Sequence, residues 1–367
     1  MSAAKHFLGH NKDRLLESDP SIVQSRFSRR NTLYGFNKRS KYLQPCPAAA
    51  TEHSEFCRVQ CSILDTSVVS DLVNVMEAQG YGLVDPFERK NMHPLLIPLG
   101  KSKDGNLVGL IRWPKARMTD SLTVVQTLPN SRSLGLLARS PTEYIHRALV
   151  EEDYSSLSEA GNRPVADAAG DLGKQLYTPG DAKNSNLPSL DAYIVRRVGM
   201  FCDTSESLVQ SHLNKNDKMS SLITAEWYMR DGHFPDWGRP YEYVFELMKE
   251  LGREEESRDI ARLALRSPWW SLSKGFQHAR DAGALSGSAD QVRAILSEQE
   301  EMANKGILQG KYKSNPKTEE QQCLDEAAHA LNKASAGEAT WDEIRPLLEE
   351  QYERAGLVDV ARFVALV

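Results

Sequence analysis

The residues best suited to chemistry lie in one short segment, Arg230–Arg239, which gathers two carboxylates, one histidine and two arginines. A histidine beside a carboxylate can act as a general base when the pair is buried and aligned. The sequence therefore offers Asp231, His233 and Asp236 as a candidate catalytic group. Loops between helices also collect Gly, Pro, Asp and His as turn formers, and aromatic residues anchor such loops. A structural loop is the favoured interpretation, and an enzyme site here is the alternative.

A metal or cofactor site has little support in the sequence. Cys57 and Cys61 lie near His53, but no second Cys/His pair follows at zinc-finger spacing. Cys202 and Cys323 stand alone on predicted helices. The chain has no Walker-type glycine loop, no Gly-X-Ser-X-Gly motif and no dinucleotide fingerprint after a strand. We therefore predict no metal, no cofactor and no enzymatic activity.

Partner contact is predicted on a different stretch. Arg258, Arg262 and Arg266 are spaced four residues apart and so form a basic ridge on one helix face, which can grip an acidic peptide. A simple solvated face is the alternative. Trp269 and Trp270 follow this ridge as either an exposed anchor or core packing, and core packing is favoured beside a helix end. These five residues are the candidate contacts for a protein partner.

Composition limits the class of protein. The 367 residues are 40% hydrophobic and 26% charged, as in ordinary soluble globular proteins. The apolar runs are much shorter than the ~20 residues of a membrane-spanning helix. We predict no integral membrane segment, while peripheral association stays open. The net charge of -5 argues against nucleic-acid binding, and five cysteines argue against a secreted disulfide framework.

The positive charge is concentrated at the start. Residues 1–62 hold ten Lys/Arg against five Asp/Glu, which leaves 35 against 45 in residues 63–367. This basic leader ends in Val59-Gln60-Cys61, which resembles the end of a chloroplast transit peptide, although early acids such as Asp13 and Glu17 are unusual in one. We predict a chloroplast protein. The alternatives are a disordered tail on a cytoplasmic protein and a mitochondrial leader.

Residues 63–152 are predicted to form a small α+β domain. A helix follows Thr66 and stops at Gly80, and a hairpin turns at residues 103–106, where Asp-Gly supplies a positive φ. Strands are also predicted over 122–127 and 133–137. A helix begins at Ser140, which is followed by Pro, Thr and Glu. Residues 153–189 lack a sustained period and are predicted to be a linker or a surface insertion.

Residues 190–367 are predicted to be mostly helical. Capping-box patterns start at Ser288, Thr318 and Thr340, each before an apolar helical stripe. Comparing the chain with itself shows that the pentapeptide 259–263 recurs at 359–363, and upstream residues match at the same offset. Both copies predict helix, short turn, helix, with Ala261 and Ala361 at the same close helix contact. Repeated hairpins of this kind build helical solenoids.

The segment from Leu251-Gly252 to Pro268 resembles a tetratricopeptide repeat (TPR) in its turn, second helix and closing proline. The first helix lacks the repeat's Leu-Gly pair, and Pro346 interrupts the second copy. The basic leader, the α+β region and the TPR-like tail together are similar to poorly characterised plastid proteins of plants and algae. This resemblance implies a location more than a mechanism.

The sequence therefore predicts an α+β protein, in which a small N-terminal α+β domain precedes a mostly α-helical domain of TPR-like αα-hairpins. The predicted parts are a basic leader or transit peptide (1–62), the α+β domain (63–152), a linker (153–189) and the helical domain (190–367). The predicted function is that of a non-catalytic interaction or accessory factor, a scaffold that supports assembly or regulation of a photosynthetic or other plastid complex. Its partners would be proteins of unknown identity.

Overall fold

The computed structural model describes residues 48–63, 66–115, 122–155, 163–230, 232–308 and 317–367. Within them, five antiparallel strands form a sheet whose order follows the sequence. The strands are β1 (Gly82–Leu83), β2 (Leu96–Lys101), β3 (Leu107–Ile111), β4 (Thr123–Thr127) and β5 (Leu134–Ala138). The two predicted strand pairs are confirmed, with Gly105 at φ 82° in the first turn. Only the short β1 escaped the sequence pattern.

The sheet is closely paired in its centre. A Cβ atom on Gly109 of β3 would lie 2.2 Å from the carbonyl oxygen of Ile97 on β2, so glycine is required there. Residues of β2 and β3 are almost all buried, which fits their continuous apolar runs.

Six of the described helices belong to the N-terminal half. They are α1 (Ala48–Gln60), α2 (Ser67–Ala78), α3 (Pro141–Ser155), α4 (Pro164–Leu176), α5 (Asp181–Asn184) and α6 (Leu190–Tyr193), which a π-helical turn (Ile194–Val198) continues. Two of them, α2 and α3, pack on the sheet. Helix α2 contacts β1 and β2 as well as α1, α3 and α4. The predicted helix starts at Thr66 and Ser140 are both confirmed, and Ser140 Oγ accepts the Glu143 amide at 3.1 Å.

Helix α1 overlaps the predicted leader. It lies inside residues 1–62, and Phe56, Cys57 and Cys61 are buried, while Arg112 Nε donates to the Cys61 carbonyl at 3.1 Å. Residues 48–62 therefore contribute to the core, and the end of the leader stays a prediction. Residues 1–47 lie outside the described residues.

The stretch predicted as a linker contains helix α4. The buried carboxylate of Asp153 accepts hydrogen bonds from the Tyr177 hydroxyl and the Gly180 amide, both at 2.8 Å, and pairs with Arg163. These bonds tie both ends of α4 to α3. Gly170 inside α4 has non-helical angles of φ 54° and ψ -132°, so the helix is kinked there. The division of the chain into domains stays a prediction.

The remaining described helices form a series of hairpins. They are α7 (Cys202–Asn214), α8 (Lys218–Tyr228), α9 (Arg239–Glu250), α10 (Glu254–Ala264), α11 (Gly275–Ala282), α12 (Ala289–Leu308), α13 (Glu319–Ala336), α14 (Trp341–Arg354) and α15 (Val358–Ala365), with a 3-10 turn at Trp269–Ser271. The predicted α+β class with a helical C-terminal part is confirmed. Thr340 forms a complete capping box with Glu343, as predicted.

The two predicted repeat copies are both helical hairpins with similar turns. Gly252 between α9 and α10 has φ 75°, and Gly356 between α14 and α15 has φ 77°. These glycines are 104 residues apart, so the ungapped offset of 100 misaligns the second helices by about one turn. Ala261 and Ala361 are fully buried, but at different distances from their turns. The predicted identity of their positions is therefore wrong.

Two buried arginines fasten the end of α15 to the loop before β2. Arg89 donates to the carbonyl oxygens of Leu96 (3.2 Å), Phe363 (2.5 Å), Leu366 (3.1 Å) and Pro94 (2.5 Å). Arg345 joins the same two segments. It donates to the Val364 carbonyl at 2.7 Å and to the Arg89 carbonyl at 2.9 Å, and it also pairs with Asp342. The carbonyls that end α15 thus gain charged donors, which a helix C-terminus favours. We call this pair of side chains the arginine clamp.

Candidate functional site

Three distant segments of the chain meet at an open cleft of about 540 Å³, here called the central cleft. The walls come from the sheet and the residues beside it, from the segment 234–237 and from α13. The lining residues are Trp113, Pro114, Lys115, Thr123, Leu136, Arg139, Phe234, Pro235, Asp236, Trp237, Gln321, Leu324, Asp325 and Ala328. The segment that the sequence offers for chemistry therefore does border a cleft.

The candidate catalytic group is not assembled among the residues that can be described. Asp236 is exposed and has a positive φ of 59°, whereas His233 does not line the cleft and packs on the Trp227 ring at 4.8 Å. No hydrogen bond joins these two side chains within the described part of the chain. Burial and the nearby charges of Arg139 and Arg230 lower the pKa of His233. The third member, Asp231, lies outside the described residues.

The same segment acts as a structural anchor. Phe234 and Trp237 are buried, and the Gly238 amide donates to Ser271 Oγ at 2.7 Å. A Cβ atom on Gly238 would lie 2.6 Å from Leu272, so the chain must pass close to the 3-10 turn there. This arrangement matches the interpretation of the segment as a structural loop.

A charged network behind this loop was missed by the sequence analysis. Arg239 donates to both carboxylate oxygens of Glu206 at 2.8 Å and to the fully buried Glu242 at 3.0 Å. Glu242 also accepts the amides of Ser273 and Lys274 at 2.8 Å. These carboxylates raise the pKa of Arg239 despite its burial. The carboxylate oxygens of Glu206 and Glu242 accept hydrogen bonds from side chains and amides of the protein itself. The network therefore holds α7, α9 and the turn before α11 together.

Trp270 is the centre of a buried aromatic cluster. Its ring lies 4.7 Å from His93 and 5.4 Å from both Trp113 and Trp237. Trp269 stacks on Phe276 at 4.1 Å, and both tryptophans of the pair are 2% exposed. The enclosed rings match the alternative of core packing, and a contact of Trp269 and Trp270 with a partner stays a prediction. The pair joins the N-terminal sheet region to the helical part.

The predicted basic ridge on α10 is only partly available. Arg258 and Arg266 are exposed. Arg262 is half-buried and donates from Nε to the Gly283 carbonyl at 2.9 Å, which fastens α10 to the turn after α11. The ridge as a partner contact stays a prediction, with Arg258 and Arg266 as its accessible members.

The four described cysteines are buried, and none of them forms a disulfide with another. A hydrogen bond to Cys61 and burial raise the pKa of the Cys57 thiol, and burial raises that of Cys202 to about 12. His53 lies against the Val84 carbonyl at 2.8 Å. Across the described ranges, no three His, Cys, Asp or Glu residues come together as metal ligands would. A thiol that stays protonated is a poor ligand and a poor nucleophile.

A helix that crosses a bilayer must be long and predominantly apolar. Within the part of the chain that the structure describes, no helix has both the length and the apolar character needed to cross a bilayer.

Comparison with known proteins gives a consistent relationship along the chain. Three family models match in succession: PAB N-terminal over residues 51–197, PAB middle domain over 202–289 and PAB C-terminal domain over 292–367. A relative from Arabidopsis thaliana, named "Protein IN CHLOROPLAST ATPASE BIOGENESIS, chloroplastic", is 35% identical over 293 residues, which cover 80% of this chain and 84% of the relative. No solved structure matches.

These matches bear on two of the predictions made from the sequence. The predicted chloroplast location is confirmed by the relative. The hairpins at 241–265 and 341–366 fall within the middle and C-terminal models, and the resemblance to the tetratricopeptide repeat is not confirmed.

Proposed function

We propose that this chain, which belongs to the PAB family, is a non-catalytic assembly factor that supports biogenesis of the chloroplast ATPase. The observation that carries the proposal is the extent of the similarity to the Arabidopsis thaliana relative, whose name states that role. It covers 80% of this chain and 84% of the relative, so it includes the sheet and the helical hairpins alike. A role that depends on the whole fold is therefore expected to be shared.

The geometry of the chain favours a binding role over a catalytic one. The best candidate for chemistry, His233 with Asp236, is not joined by a hydrogen bond in the described part of the chain, where His233 packs on the Trp227 ring instead. General base catalysis needs an aligned pair. By contrast, the arginine clamp and the Trp270 cluster fix the relative positions of segments that are far apart in sequence, as a rigid holder of another polypeptide requires.

Complementation tests the proposal directly. Arabidopsis thaliana plants that lack the relative would receive this chain with a chloroplast-targeting sequence, and the amount of assembled chloroplast ATPase would be measured on native gels. We expect recovery to a level comparable with that given by the relative itself. A chain that accumulates in folded form in the chloroplast but restores no ATPase would overturn the proposal.

The same complementation with one variant distinguishes a binding role from a catalytic one. His233→Ala removes the candidate base, while the ring it loses packs only against Trp227 among its described aromatic neighbours. Under the proposal this variant restores the ATPase as well as the unchanged chain does. If His233→Ala folds normally but fails to restore the ATPase, the enzyme alternative gains over the assembly factor.

A further inference from the structure

A smaller cleft has His93 in its lining, and we call it the His93 cleft. Its volume is about 260 Å³, and its lining comes from the segments 91–96, 127–134 and 340–341. No aspartate or glutamate is among these lining residues. Several hydrogen-bond donors are, including Arg132 and the hydroxyl groups of Ser133 and Thr340.

His93 brings an unsatisfied donor to this cleft. Its Nδ1 atom accepts the Leu95 amide at 3.3 Å, so the neutral ring carries its proton on Nε2. The Nε2 atom is buried and has no hydrogen-bond partner among the described residues. The ring is held 4.7 Å from both Trp270 and Trp341. Buried donors without an acceptor are rare in folded proteins, so this one calls for an explanation.

The surroundings of the cleft carry an excess of positive charge. In the described part of the chain, all four hydrogen bonds of the buried Arg89 go to backbone carbonyls and none to a carboxylate. Arg345 has one carboxylate partner, Asp342, which also accepts the Asn91 amide at 3.0 Å. Arg132 uses only Nη1 in its described bonds, which go to the carbonyls of Ala334 and Ala339. Three guanidinium groups thus stand near this cleft.

The acids nearest to the cleft are already engaged. Asp342 is held by Arg345 and Asn91. The Glu343 carboxylate accepts the Thr340 amide at 2.7 Å, and its pKa is lowered chiefly by its hydrogen bonds with Thr340 and also by the charge of Arg132. Neither lines the cleft. Burial together with the charges of Arg345 and Arg89 lowers the pKa of His93 to about 3, so its ring stays a neutral donor at physiological pH. An anion can therefore enter without displacing an internal one.

We propose that the His93 cleft binds a carboxylate of a partner polypeptide, with the Arg132 guanidinium and the His93 Nε2–H group as its donors. A carboxylate has the planar, two-oxygen geometry that a guanidinium recognises best, and it also supplies the acceptor that His93 lacks. The cleft is below the usual size of small-molecule pockets, which suits one acidic side chain or one chain terminus. The proposal rests on the proposed function, because it takes the bound partner to be a protein.

Binding of short peptides to the full chain tests the proposal. The probes are Ac-Gly-Glu-Glu-Gly-amide, which carries side-chain carboxylates, Ac-Gly-Gly-Gly with a free C-terminal acid, and the neutral Ac-Gly-Gln-Gln-Gly-amide. Affinity is measured by calorimetry, and the Nε2–H resonance of His93 is followed in histidine-labelled protein. We expect one or both acidic probes to bind and to shift this resonance, while the neutral probe does neither. The first two probes distinguish a side chain from a chain terminus as the source.

Matched variants locate the binding. Arg132→Gln is expected to weaken the acidic probe at least about tenfold, and Arg132→Lys to weaken it less because the charge remains. Arg196→Gln removes an equal charge from an exposed arginine of the π-helical turn, which lines neither cleft, and should leave the affinity unchanged. Since Arg132 also bonds two carbonyls, thermal melting confirms that each variant is folded at the temperature of the measurement.

Three results would overturn the proposal. They are equal binding of the neutral probe, equal weakening by Arg196→Gln and Arg132→Gln, and no shift of the His93 resonance when an acidic probe is bound. The proposed function can fail separately, in the complementation of plants, while peptide binding stands. If the unchanged chain restores the ATPase and a folded Arg132→Gln variant that binds no acidic probe restores it equally, the cleft is not the partner site.

Discussion

The arginine clamp permits a prediction about stability that can be worked from its bonds. Arg89→Met keeps a side chain of comparable length but removes all four donors to the carbonyls of Pro94, Leu96, Phe363 and Leu366. Bonds from a charged donor contribute about 1.5–3 kcal/mol each, whereas removing a buried charge recovers several kcal/mol of desolvation. That desolvation is substantial here, since burial and Arg345 lower the pKa of Arg89 to about 9.

The balance of these effects is a loss of about 3 kcal/mol in the free energy of unfolding, because four buried carbonyls are left without donors. Arg89→Lys should lose nearly as much, since one ammonium group cannot reach carbonyls on two separate segments. The assay is urea unfolding followed by tryptophan fluorescence, with the exposed Arg266→Met as control, expected to change stability by less than about 0.5 kcal/mol. An Arg89→Met variant as stable as this control would refute the reasoning.

The remaining predictions concern pH, the N-terminus and the hairpins. The pKa of His93 is lowered to about 3, so the unfolded chain takes up the proton first and stability falls as pH drops from about 6.5 toward 3. In urea unfolding, the free energy of unfolding of His93→Phe should depend less steeply on pH, by up to about 1.4 kcal/mol per pH unit. Equal slopes for the variant and the unchanged chain would contradict the assignment of this pH dependence to His93. A chain that starts at residue 48 should unfold cooperatively by circular dichroism, and one that starts at residue 63 should not, because it lacks α1. Ala261→Leu and Ala361→Leu should each cost about 1–3 kcal/mol and lower the melting temperature, since both sites are fully buried; unchanged melting would show that these contacts are loose.

Local signals in the sequence were sufficient for most of the described elements. The turn at Gly105, the serine cap at Ser140 and the capping box at Thr340 each depend on residues within four positions, and the structure contains all three. Short apolar runs between these turns then indicated the positions of the strands. Such features are readable because cause and effect lie next to each other in the chain.

The features that the sequence did not reveal depend on distant partners. Helix α1 has a weakly apolar sequence, and its place in the core follows from contacts with α2 and α15. Nothing near Arg89 indicates that its acceptors include Phe363 and Leu366, and an arginine is normally expected at the surface. The orphaned Nε2 atom of His93 likewise becomes visible only once Trp270 and Trp341 enclose the ring.

The arginine clamp also has a consequence for the timing of folding. Arg89 and Phe363 are 274 residues apart, so the loop that holds Arg89 can reach its final form only after the residues near position 363 have emerged from the ribosome or the import channel. Closing so long a loop carries an entropic cost that an incomplete chain cannot recover. Until then Arg89 lacks two of its acceptors, and a nascent chain with a nearly complete sheet still has an unsatisfied charge in it. The clamp therefore closes late, when the last helix of the chain docks onto the loop before β2.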